Sequence, residues 1–104
     1  MDYDVILTDL AKAHLDQIIH YLLYQIQSTQ AACNVLEDAK NTQERLFRLA
    51  GSLKLCEDPQ LRSLGYRTIH FKNHKFFMIY RIENHKVYVD GIYHDLQDYE
   101  NLLR

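Results

Sequence analysis

Residues 61–99 constrain the fold of this chain more than any other stretch. They read LRSLGYRTIHF, the break KNHK, FFMIYRI, the break ENHK, and then VYVDGIYHDLQDY. Three apolar, aromatic-rich runs separated by two short polar breaks of near-identical composition predict an antiparallel meander. With Asn73-His74 and Asn84-His85 as turn centres, Ile69 lies opposite Met78 and Tyr80 opposite Val89. Asn tolerates the positive φ that tight hairpin turns require. Strand side chains alternate between faces, so one face should carry Ile69, Phe71, Phe76, Met78, Tyr80, Ile82, Val87 and Val89. The other should carry Thr68, His70, Phe77, Ile79, Arg81, Tyr88, Asp90, Ile92 and His94. The first set is almost wholly apolar and must be covered. The second is mixed and is the surface left for a macromolecular ligand.

The cover comes from the first half. Tyr3 to Leu7 is a short β run, and Thr8 or Asp9 can cap the helix that follows, its side-chain oxygen accepting from a free first-turn N–H. Ala11, Leu15, Ile18, Ile19, Leu22 and Ile26 then recur at helical spacing. Ser28 or Thr29 starts a second helix, with Ala32, Val35, Leu36, Ala39, Leu46, Leu49 and Leu53 inward, Thr42 and Gln43 interrupting, and Gly51 as its C-cap. A link this short requires an antiparallel helical hairpin. Residues 51–65 hold Gly51, Pro59 and Gly65 and read as loop. A short helix from Asp95 to Arg104 would turn Leu96, Tyr99, Leu102 and Leu103 inward. The order βααβββ predicts a two-layer α+β fold, a helical hairpin on an antiparallel sheet that the N-terminal strand is free to join.

At 104 residues the chain is a single domain, 1–104. Residues 1–50 have a net charge of −3 and residues 51–104 of +1, by count of Lys, Arg, Asp and Glu. A strongly basic nucleic-acid binder is thereby excluded, and a polyanion would meet the C-terminal half first. The two cysteines, Cys33 and Cys56, form no CxxC and no disulfide framework. No apolar window approaches a membrane span and no basic n-region precedes one, so a soluble, cytoplasmic protein is expected. His70 and His74 are four apart on a strand and turn rather than a helix, a poor metal pair, and no metal or cofactor is expected.

Several segments together resemble the RelE/ParE superfamily of type II toxin–antitoxin toxins. They are YDVILTDLAKAHLDQIIHYL at 3–22, Gln30-Ala31-Ala32, LRSLGYRTI at 61–69, IYRI at 79–82 and IYHDLQDYENLL at 92–103. The strongest is LRSLGYRTI, close to the family's Leu-Arg-x-x-Gly-Tyr-Arg entry into the sheet. The resemblance spans almost the whole chain. It implies a small poison of an addiction or plasmid-stabilisation module, held inactive in a complex with a cognate antitoxin. RelE-like members cut mRNA at the ribosome, and ParE-like members inhibit DNA gyrase.

Metal-independent RNA cleavage needs a base, a cation for the phosphorane and an acid. A RelE-like reading assigns Arg67 and Arg81 as cations and His94 as acid or base. Lys54, Arg62, Tyr88 and Tyr99 are candidate contacts to nucleic acid or a protein target. Arg67, however, falls in the register of the packed face. The acidic balance, the Glu57-Asp58 pair beside Lys54 and Arg62, and the Ile-x-His-x-x-x-Asp ending favour the ParE-like alternative, growth inhibition through a protein target. The RelE-like mRNA interferase is the second reading, and an inactive relative that binds only its antitoxin the third.

Overall fold

The computed structural model describes residues 2–96. Four strands form one sheet in the order β1-β4-β3-β2, with β1 Asp4–Leu7, β2 Arg67–His70, β3 Phe76–Glu83 and β4 Lys86–His94. The meander is antiparallel, but β1 pairs parallel to β4, from Asp4 opposite Lys86 to Leu7 opposite Val89. The sheet is therefore mixed rather than antiparallel throughout. Helices α1 (Asp9–His20) and α2 (Thr29–Leu49) run out and back between β1 and the meander. Only a long crossover of this kind can return a chain for parallel pairing. The predicted terminal helix from Asp95 lies outside the described residues, except that Asp95 is in a turn and Leu96 is exposed.

Capping follows the sequence. Thr8 accepts from the Ala11 N–H at 3.4 Å and Ser28 from the Ala31 N–H at 3.1 Å, so each removes one orphan donor from its helix. Between the helices, Tyr21–Gln25 widens into a π-turn, with the Ile26 N–H donating to the Tyr21 carbonyl. That extra residue per turn rotates the last positions off the stripe. Ile26 consequently points to solvent instead of inward, and Gln27 closes the hairpin at φ 60°.

Helix α2 buries most of the expected stripe, Ala32, Val35, Ala39 and Leu46, but not its flanks. Leu36 and Leu49 are exposed, whereas Asp38 and Thr42 are buried among Ala32, Val35, Ala39 and Leu46. Thr42 satisfies its hydroxyl on the Asp38 carbonyl at 2.8 Å. The Asp38 carboxylate accepts from the backbone N–H of Asn73 at 2.9 Å and of Lys72 at 3.3 Å, and lies 2.7 Å from His74 Nδ1. A carboxylate can be buried when its lone pairs are filled in this way. It ties the β2–β3 turn to the helix layer, and Asn73 then has no need of positive φ. Asn84 does adopt it, at φ 59°, with His85 outside that region, the pattern of a type II′ turn. Gly51 does not cap α2 with a left-handed residue. It lies in a 3₁₀ turn against the Tyr3 hydroxyl, where a Cβ would collide.

The main core lies between helices and sheet. Leu46, Met78, Tyr80, Val87 and Val89 are completely buried, each contributing roughly 1.5–3 kcal/mol by removal from water. The Tyr80 hydroxyl donates to the Ala50 carbonyl at 2.8 Å, and burial raises its pKa.

The opposite face is only partly bare. Short helix α3 (Pro59–Ser63), capped by the Asp58 carboxylate on the Leu61 N–H at 3.0 Å, folds onto it. Cys56 and Leu61 pack there with Phe77, Ile79, Tyr93 and Tyr66 in a second, smaller core. The stretch expected to be a loop is thus a cover for part of the second face.

Candidate functional site

What remains open on that face is the β1-β4-β3 side, and a β-bulge decides which residues it displays. Strand pairing holds from Glu83–Lys86 through Tyr80–Val89, then shifts by one, so that Ile79 faces Gly91 and Phe76 faces His94. Asp90 is the extra residue. Every side chain beyond it changes face relative to strict alternation. Ile92 therefore joins the main core, and His94 moves to the helix side, edge-on to the Phe76 ring at 5.4 Å. Tyr93 replaces them on the second face, its ring over Gly91, where a Cβ would come within 2.6 Å. The placement of Ile92 and His94 beside Arg81 on one face is corrected accordingly.

Asp90 itself stays on the open face. Its Oδ2 accepts from Arg81 Nε at 2.9 Å and from the Tyr66 hydroxyl at 2.9 Å. Burial, then that hydrogen bond, raises the Tyr66 pKa and keeps the phenol a donor. Arg81 also pairs with Glu83, and its guanidinium stacks over the Tyr88 ring at 4.6 Å. Ile6, over a third exposed, lies on the same side directly across from Tyr88. The result is a patch of one apolar side chain, two phenols and a held guanidinium. Its arginine is fixed in geometry and balanced in charge by two carboxylates.

The other predicted site residues lie apart. Arg67 pairs with Tyr80 on the helix-covered face and donates to the Leu53 carbonyl, where the chain leaves the end of α2. Arg67, Arg81 and His94 are thus not brought together: Arg81 projects from the opposite side of the sheet. His94 Nδ1 accepts from the Leu96 N–H at 3.2 Å. Arg62 extends from α3 to the Cys56 carbonyl at 2.9 Å, and Lys54 is exposed on the segment between. Tyr88 is in the patch. Tyr99 lies outside the described residues. Sequence reasoning placed Asp90 on this face but missed Tyr66 and Ile6 as parts of the surface. Tyr66 was visible in the Gly-Tyr-Arg motif, but its partner is 24 residues away. Among the described residues no group of three His, Cys, Asp or Glu side chains could hold a metal, and no helix is long and apolar enough to cross a membrane.

The family model for the ParE toxin of the type II toxin–antitoxin system parDE matches residues 5–99. This chain belongs to the ParE toxin family. Its fold is similar to a chain of a chromosomal ParDE toxin–antitoxin system from P. aeruginosa, with a TM-score of 0.70 at 21% identity, over 88% of this chain and 95% of that one. No curated protein matches the sequence. The two-layer α+β architecture expected from the RelE/ParE resemblance is the one observed.

Proposed function

We propose that this ParE-like toxin arrests growth by binding a protein target in the cytoplasm, with DNA gyrase the first candidate, and that a cognate antitoxin neutralises it. One observation carries the choice: the residues an RNA-cleaving toxin would need are on different faces. Arg67 is committed to the Leu53 carbonyl, His94 is behind the sheet, and Arg81 is already balanced by Asp90 and Glu83. A guanidinium paired to two carboxylates has little charge left for a phosphorane. Tyr and Arg fixed beside an apolar residue are, in contrast, the residue types that dominate protein–protein contacts.

The test is a supercoiling assay with purified gyrase, beside a translation extract in which mRNA ends are mapped. The expected result is inhibited supercoiling and uncut mRNA. Tyr88→Ala should weaken inhibition by about tenfold, the effect of ~1.4 kcal/mol at an interface. mRNA cuts that disappear in Arg67→Ala and His94→Ala would overturn the proposal in favour of the nuclease. Silence in both assays without growth arrest would leave an inactive relative.

A further inference from the structure

The open patch contains an acceptor that the chain does not use. Asp90 is the bulge residue, without a cross-strand partner between the Tyr80–Val89 and Ile79–Gly91 pairs. Its Oδ2 takes both donors, Arg81 Nε and the Tyr66 hydroxyl, each at 2.9 Å. Its Oδ1 accepts no hydrogen bond among the described residues. The side chain is 16% exposed, so most of this carboxylate is already withdrawn from water. A donor brought from outside would complete it with a charge-assisted bond.

The charge around Asp90 is negative in excess. Alternation from Ile6, Tyr88 and Arg81 puts Asp4, Lys86 and Glu83 on the same face, with Lys86 opposite both Asp4 and Glu83. Among the described residues, the open part of the face therefore carries the carboxylates of Asp4, Glu83 and Asp90 against the cations of Arg81 and Lys86. Arg81 is already engaged by Glu83 and Asp90. The field of Asp90 also extends past that pairing: after burial, its charge is what raises the Tyr93 pKa. Two phenol rings neighbour the carboxylate. Tyr66 reaches it by hydrogen bond, and Tyr88 precedes it by two residues on the same strand face. Such rings favour a cation above all other charged groups.

From this arrangement we infer that Asp90 is the specificity-determining residue of the patch, and that the segment it admits from a protein partner is basic. An arginine or lysine of that segment donates to Asp90 Oδ1 beside the Tyr66 and Tyr88 rings, and an apolar neighbour packs on Ile6. An acidic segment or a phosphate backbone meets like charge and is turned away. The inference rests on the reading of this patch as the face that meets the target, and names the chemistry it selects there.

The experiment titrates the full chain with a blocked peptide alternating leucine with arginine, the same peptide with glutamate for arginine, and oligouridylate, following backbone amide shifts by NMR. The arginine peptide alone should bind, with shifts centred on Ile6, Tyr66, Arg81, Tyr88 and Asp90. Asp90→Asn keeps an acceptor for Arg81 and Tyr66 but not the charge, and should weaken that binding at least about tenfold. Ile6→Lys adds a cation at an exposed position, leaves the Asp90 bonds alone, and should weaken it likewise; it decides the matter should Asp90→Asn fail to fold. No binding of the arginine peptide, shifts confined to other residues, equal binding of the glutamate peptide or oligouridylate, or affinity unchanged in both variants would each overturn the inference. Supercoiling by gyrase reads the target separately. Inhibition without charge selection refutes this inference alone, and charge selection without inhibition refutes the gyrase reading alone.

Discussion

Asp38 should be the most sensitive polar position in this domain. Replacement by alanine removes the acceptor of the Asn73 N–H, the Lys72 N–H and His74 Nδ1 at once. Hydrogen bonds to a charged group contribute about 1.5–3 kcal/mol each. The 3.3 Å contact to Lys72 is the weakest, and His74 is open enough for water to replace part of its loss. Counting the Asn73 bond in full and the other two in part gives about 3–4 kcal/mol. A domain of this size has only ~5–15 kcal/mol in total. The midpoint of thermal unfolding should therefore fall by roughly 12–32 °C at ~4–8 °C per kcal/mol. Urea unfolding of wild type, Asp38→Ala, His74→Ala and the double variant measures both the loss and the coupling. Amides of residues 71–75 should also exchange faster in Asp38→Ala while those of β3 and β4 do not. A loss below about 1 kcal/mol, or unchanged exchange in the turn, would refute the view that this carboxylate ties the sheet to the helix layer.

Gln27→Gly should raise stability by about 1 kcal/mol, because the wild-type side chain is held at φ 60° where only glycine escapes the Cβ penalty; calorimetry showing no gain would count against strain there. Gly91→Ala should cost about 1–3 kcal/mol as the new methyl meets the buried Tyr93 ring, measured by urea unfolding. His14 accepts the Ile92 N–H at Nδ1 at 3.2 Å, and burial lowers its pKa below 6.5. The unfolded chain then takes up the proton more readily than the folded one, so this contribution is intact above pH 6.5 and declines as pH falls through the lowered value. Unfolding of wild type and His14→Gln across that range should show the decline only in the wild type.

Much of the architecture is legible because it depends on local periodicity. Alternation and two asparagine-centred breaks are enough to set Ile69 opposite Met78 and Tyr80 opposite Val89, as observed. Apolar spacing and hydroxyl caps likewise mark where the two long helices begin, since capping involves only neighbours in the chain. The packed-face position of Arg67 follows from the same alternation.

Where local pattern and outcome part, the cause is a partner distant in sequence. Asp38 is buried because a turn some 35 residues later supplies its donors, so a hydrophobic stripe could not predict it. The bulge at Asp90 exchanges His94 for Tyr93 on the second face, and a single inserted residue has no signature in an alternating run. Composition and motif alone thus determined the layers, the register as far as the bulge, and the toxin family. Which side chains share a surface was decided only by tertiary structure, because one residue of slip in a strand turns every later side chain over.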